Sequence, residues 1–279
     1  VKTRWVVIVA LAVVLSGCST KFVYNWLDWI IEWQVEDYVD LDRGQERQLQ
    51  AMIDDLMEWH RYSELPRYHA QLQRLRTQLD HGFSAEDAQA HITELEQHWF
   101  HIFDHLLPKL VPLLQSFSDQ QVTQMMTAIR KENQKDIDRY LKRDLDDRVV
   151  ISNKRMAKSL KRWVGKLTPM QAQAVDDFNR QRHQSMDLWV SYREAWQKRF
   201  QQAMIDRADG PGLRRDLAVL LVNPDSVRPQ EYKDQLSVNQ HRFAESLVEI
   251  NDSLTGKQRK RLNHQLGSLI DDLADLSKK

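Results

Sequence analysis

Cysteine occurs once in the 279 residues, at Cys18, so no intramolecular disulfide can form and no thiolate pair is available for a metal. Eight glycines and seven prolines make up about 5% of the chain, where roughly 12% is usual, which leaves too few turn formers for a hairpin-rich sandwich or barrel. Charge of one sign is also lacking. Forty Lys and Arg face forty Asp and Glu, which removes the global attraction that nucleic acid or an anionic membrane would exploit. The most apolar stretch, residues 5–15, falls short of the ~20 residues that a permanent membrane-spanning helix needs. Missing too are His-Glu-x-x-His, Gly-x-Ser-x-Gly, a Gly-rich phosphate loop, and any Glu followed three residues later by His. These absences point away from an enzyme and toward an all-α protein held together by packing.

What is present begins with the address. Lys2 and Arg4 precede the short apolar stretch, which closes on Leu15-Ser16-Gly17-Cys18. That tetrad resembles the lipobox of bacterial lipoproteins. The resemblance implies a signal peptide over 1–17, a diacylglycerol thioether on Cys18, cleavage before it and acylation of the new amine, with no other cofactor. Ser19 rather than Asp after the cysteine implies export to the outer membrane, facing the periplasm. Loss of Lys2 and Arg4 lowers the 40 basic residues to 38 against 40 acidic ones, a formal charge of −2 on the mature chain.

A local pattern recurs along the chain: a bulky apolar residue, then Ser, Thr or Asp, then Gln three positions on, then an apolar residue four beyond. It reads Leu41-Asp42…Gln45…Leu49, Phe117-Ser118…Gln121…Met125, Leu167-Thr168…Gln171…Val175 and Leu254-Thr255…Gln258…Leu262, with a looser Phe83-Ser84…Asp87. Each is a helix start in which the hydroxyl or carboxylate accepts from an orphan N–H and the side chain at N3 reaches back. Between these starts the pattern predicts helices at 22–39, 43–62, 64–81, 85–115, 119–143, 145–166, 169–207, 212–221, 229–252 and 256–277. Pro66, Pro108 and Pro112 are expected to break or kink their segments. The architecture expected is an elongated array or bundle of long antiparallel helices, one domain over 18–279 with a sub-boundary possible near 166.

Four groups of side chains are candidates for function. On the helix at 85–115, Asp87, His91, Glu94, His98, His101 and His105 share one face, and His98, His101, His105 and Glu94 are the weak candidates for a metal. The alternative for this face is a solvated or partly buried polar stripe. Trp26, Trp29 and Trp33 line the first helix of the mature chain; they either pack as its core face or lie in a membrane interface. Trp189, Tyr192, Trp196, Phe200 and Met204 form a seam at spacings of three and four, read as core or as a groove for apolar client segments. Lys154, Arg155, Lys158, Lys161, Arg162 and Lys166 surround Trp163, a solvated face or a patch for anionic lipid or an acidic partner.

Two resemblances extend this reading. Tyr24-Asn25-Trp26-Leu27-Asp28-Trp29, Trp59-His60-Arg61 with Glu64-Leu65-Pro66-Arg67-Tyr68, Tyr140-Leu141 with Arg143-Asp144, and Trp163 leading into Leu167-Thr168-Pro169-Met170-Gln171 resemble a family of uncharacterised bacterial lipoproteins. Leu167-Thr168…Gln171 and Leu254-Thr255…Gln258 are similar to the Leu-Thr-x-x-Gln repeats of the Spy/CpxP group of periplasmic chaperones. The second resemblance implies long antiparallel helices and transient binding of unfolded envelope proteins. Together they lead to the expectation of a lipid-anchored binding, scaffold or chaperone-like factor with an envelope protein as partner or client. A structural lipoprotein contacting peptidoglycan or an outer-membrane machine is the alternative, and a metal-binding or enzymatic helical protein using the His98/His101/His105 face is another.

Overall fold

The structure, a computed structural model, describes Lys21 and residues 24–278; the signal segment and Cys18 lie outside the described residues. The described residues are predominantly helical, with no strand among them. In chain order the helices are α1 (Leu27–Glu36), α2 (Arg43–Trp59), α3 (Leu65–His81), α4 (Ala85–Gln115), α5 (Asp119–Leu141), α6 (Leu145–Val164), α7 (Pro169–Gln181), α8 (Met186–Ile205), α9 (Gly210–Leu221), α10 (Gln230–Asp252) and α11 (Gly256–Leu276). A π-helical turn at His60–Glu64 joins α2 to α3, and a 3₁₀ turn occupies Pro224–Ser226.

All five helix starts form with both halves of the cap. Asp42 accepts from the Gln45 N–H and Gln45 accepts from the Asp42 N–H; Thr168/Gln171 and Thr255/Gln258 repeat this. Ser118/Gln121 and Ser84/Asp87 close in the same reciprocal way at 2.9–3.2 Å. Each cap contributes about 1 kcal/mol and fixes where its helix begins.

The chain divides into two compact units. Unit 1 holds the residues up to Glu64, then Glu96–Ile137 and Met186–Gln230; unit 2 holds Leu65–Leu95, Asp138–Ser185 and the residues from Glu231 on. Residue 166 lies inside unit 2. In unit 1, Ile53, Leu107, Met204, Leu213 and Leu217, each at most 2% exposed, anchor one apolar cluster fed by α2, α4, α5, α8 and α9. Fully burying such a side chain stabilises by roughly 1.5–3 kcal/mol. In unit 2, Val164, Leu262 and Leu266 gather Leu72, Leu75 and Trp163, while Ala174, Val175 and Ile250 gather Met156 and Leu160.

Both units use the same polar device. In unit 1 the Gln45 amide donates to the Ser116 carbonyl and to Gln121 Oε1, while the Gln121 amide donates to the Asp40 carbonyl and to Gln45 Oε1. In unit 2 the Gln171 amide donates to the Ser253 carbonyl and Gln258 Oε1, and the Gln258 amide to the Lys166 carbonyl and Gln171 Oε1. In each case the accepting carbonyl sits two residues before the partner's capping residue. A glutamine that closes its own helix start therefore also ties down the chain entering another.

Proline and helix length depart from expectation. Pro66 does not break the chain: its ring would strike the carbonyl four residues back in an α-helix, and the wider turn at His60–Glu64 removes that clash. α4 runs on through Pro108 and Pro112, because Leu107, Val111, Leu113 and Leu114 around them are buried and outweigh the lost hydrogen bonds. The predicted helix 169–207 is two helices. α7 stops at Gln181, Arg182 turns extended, and side chains of α10 hold the exposed backbone: Asn239 bonds both the N–H and the carbonyl of His183, and Arg242 donates to the Gln181 carbonyl. α6 ends at Val164 because Gly165 takes φ 82°, a conformation that side chains strain to adopt.

Candidate functional site

The π turn before Pro66 has a second consequence, since it sets the direction of the Glu64 carboxylate. Glu64 is 1% exposed, an uncommon burial for a carboxylate. On α4, His98 and His101 stand at i and i+3, one helical turn apart on one face. Glu64 Oε2 lies 3.3 Å from His98 Nδ1 and Oε1 lies 3.7 Å from His101 Nδ1. One ligand-type atom from each of the three side chains falls within 4.8 Å of the others. His98 is buried, whereas the His101 ring keeps 41% of its surface in water. All three residues belong to unit 1.

Around this cluster stand groups with their own partners. Tyr24, fully buried, places its hydroxyl 3.2 Å from His60 Nδ1, and the Arg61 guanidinium lies over the tyrosine ring at 5.7 Å. Burial raises the Tyr24 pKa to about 12, with Arg61 opposing. Burial, with the charge of His98 adding, lowers the His60 pKa to about 4. Both groups are therefore uncharged near neutral pH where they meet. His105 stacks on Trp59 at 4.2 Å and bonds Asp55 through Nε2 at 2.8 Å. Lys109 also meets Asp55, and that hydrogen bond, helped by His105, holds the Asp55 carboxyl below its ordinary pKa.

The expected histidine face is thus only partly a site. His98 and His101 meet a carboxylate, but it is Glu64 rather than Glu94. Glu94 belongs to unit 2, where both of its oxygens bind Arg74 at 2.5–2.6 Å. His105, one turn beyond His101, is held by Asp55. Helical spacing relates residues of one helix and so does not point to Glu64, which comes from another element. Its one sequence signal is a carboxylate two positions ahead of a helix-interior proline.

The tryptophan row is not a core face. Trp26, Trp29 and Trp33 are 49%, 56% and 50% exposed, while Ile31 and Val35 on the other side of α1 pack against the apolar cluster of unit 1. Trp29 and Trp33 stack at 6.4 Å and 8°, and Trp26 meets Trp29 edge-on at 6.3 Å. The Trp189/Tyr192/Trp196 seam takes the core alternative instead. Tyr192, Phe200 and Met204 are buried, Trp196 stacks on Phe200 and donates its indole N–H to the Leu220 carbonyl, and Trp189 is half-buried. Apolar contact on that side is already satisfied by the protein itself. On α6 the cations Lys154, Arg155, Lys158 and Lys161 are exposed, as is Lys166 just past its end, and Arg162 lies against the Trp163 ring.

An all-α chain with a partly buried Glu–His–His cluster and an exposed indole row is the class that these features define. By sequence, the chain belongs to a family of unknown function (DUF6279), which matches residues 37–233. That span includes Glu64, His98 and His101 but neither the indole row nor α11. No curated protein and no solved structure matches the chain.

Proposed function

We propose that this protein is a lipid-tethered component of a bacterial envelope. In this reading it is held at the outer membrane through acylated Cys18, faces the periplasm, and presents its helices as a binding scaffold for an envelope protein. The observation that carries the proposal is the half-exposed indole row. An indole has an apolar body and one N–H, and it is most stable at the headgroup level of a bilayer. Trp26 follows Cys18 by eight residues, a reach of at most about 29 Å, so an anchor at Cys18 keeps the row close to the bilayer surface. α1 carries Asp28, Glu32 and Glu36 and no Lys or Arg, so attraction to the surface comes from indole partition and not from charge. Zwitterionic lipid suffices.

The test uses the full chain expressed with its signal segment. Mass analysis of the purified protein reads whether Cys18 is acylated. In zwitterionic vesicles containing brominated lipid, emission from the tryptophans is expected to be quenched, and the triple variant Trp26→Ser, Trp29→Ser, Trp33→Ser is expected to lose most of that quenching. An unmodified Cys18 thiol, or equal quenching in the triple variant, refutes the reading. Crosslinking in intact cells, followed by identification of what is captured, then reads the partner.

A further inference from the structure

We infer that Glu64, His98 and His101 bind one divalent transition-metal ion of the zinc class. The case begins with distance. Four-coordinate zinc holds nitrogen and oxygen ligands at about 2.0–2.2 Å, which places neighbouring ligand atoms about 3.3–3.6 Å apart. The two separations here, 3.3 Å from Glu64 Oε2 to His98 Nδ1 and 3.7 Å from Glu64 Oε1 to His101 Nδ1, are close to that edge and use the two oxygens of one carboxylate. They exceed the 2.7–2.9 Å or so of a charge-assisted hydrogen bond. One donor atom from each of the three side chains lies within 4.8 Å of the others, so small side-chain adjustments bring all three onto one ion.

Donor chemistry narrows the ion. Two imidazole nitrogens disfavour magnesium and calcium, which take oxygen shells, and no thiolate or thioether is part of the cluster to select copper(I). Two histidines with one carboxylate suit zinc and its neighbours, and leave a fourth position for water or a ligand. Burial supplies the driving force. Holding the Glu64 carboxylate at 1% exposure beside a histidine at 4% costs hydration. A bound dication offsets that cost more fully than a protonated imidazole.

The backbone orients all three ligands before any ion arrives. α4 sets His98 and His101 one turn apart, and the π turn, required by Pro66, aims Glu64 from the α2–α3 junction. His101, the exposed member, marks the side on which an ion enters. The other histidines of the α4 face are engaged elsewhere, His105 by Asp55 and His91 by Gln78, so the expected stoichiometry is one.

The experiment is titration of the chelator-stripped full chain with zinc by calorimetry, and with cobalt(II) followed by visible absorption. One ion per chain, with the intense bands of four-coordinate cobalt, is expected. His101→Ala changes an exposed ring and leaves the fold intact, as circular dichroism will show; it should weaken binding by about 100-fold or more. Glu64→Gln should do the same, and His105→Ala should bind like the unaltered chain. No uptake, uptake with the weak bands of six-coordinate cobalt alone, or unchanged affinity in His101→Ala overturns the assignment. Should Glu64→Gln fail to fold, the His101→Ala titration decides alone.

Discussion

In unit 1 the bridging amide of Gln45 is 3% exposed and that of its mate Gln121 retains contact with water, whereas in unit 2 Gln171 is wholly buried and Gln258 is 6% exposed. The hydrogen bonds are the same in kind and in register, so the two units offer an internal control on what solvent does to an identical polar contact. Where water is excluded, removing one amide strands the other; where water reaches in, it can replace what is lost. Unit 1 has one continuous apolar cluster and also holds the buried Glu64 and His98 and the half-buried His60. Unit 2 adds further polar ties, with Arg259 bonding the Leu79 carbonyl and both oxygens of Asn251.

Four outcomes sharpen or break this comparison. The largest is expected at Gln171→Ala, which removes the return half of a cap, strands the Ser253 carbonyl and leaves Gln258 without its mate. A loss of about 3–4 kcal/mol is expected in urea unfolding, against roughly 1–2 kcal/mol for Gln121→Ala. The double variant Gln171→Leu, Gln258→Leu should cost less than the sum of its single variants by roughly 1–3 kcal/mol. Equal costs in the two units would show that water access does not distinguish the bridges.

Acid comes second and acts on unit 1. Because the folded His60 pKa of about 4 lies below the ordinary 6.5, the unfolded chain binds more protons between those values. The His60 contribution is complete above pH 6.5 and disappears as pH falls to 4. It amounts to roughly 2 kcal/mol once the partial contact of the ring with water is discounted. In unit 2 burial also lowers the His91 pKa, so that unit loses stability on the same side of neutrality. Amide exchange at pH 7 and pH 5 should show α2 losing protection, and His60→Leu should flatten that loss.

The third outcome is a match. Ser118→Ala in unit 1 and Thr255→Ala in unit 2 should each cost about 1 kcal/mol, since each removes one hydroxyl that accepts from a helix N–H. The fourth and smallest is Trp29→Ala, which should change unfolding free energy by no more than about 0.5 kcal/mol because the indole faces water. A larger loss would mean that the row holds the fold together.

Much of the fold was legible because helix starts are local. Ser, Thr or Asp with Gln three positions on placed four starts correctly, Ser84 with Asp87 placed a fifth, and the scarcity of glycine and proline left no room for sheet. What was not legible depends on parts of the chain distant in sequence. Nothing near Gln45 announces Gln121, 76 residues on, and nothing near Gln171 announces Gln258, 87 residues on. The end of α7 at Gln181 is imposed by Asn239 and Arg242, and the interleaving of the two units has no local marker. For the candidate site, the histidines were visible as a face, but their carboxylate was sought on the same helix, at Glu94. The tryptophan row was recognised, and only three dimensions could tell that it faces outward.

The bridge also explains the odd member of the helix starts. At Ser84 the third position holds Asp87, whose short carboxylate has no amide to extend; it accepts from Gln78 instead. A carboxylate is free to stand alone, but a buried primary amide at that place requires a counterpart. Such glutamine signatures ought therefore to be inherited two by two, and a homologue that loses one is expected to have lost its mate or to have replaced the survivor with an acid.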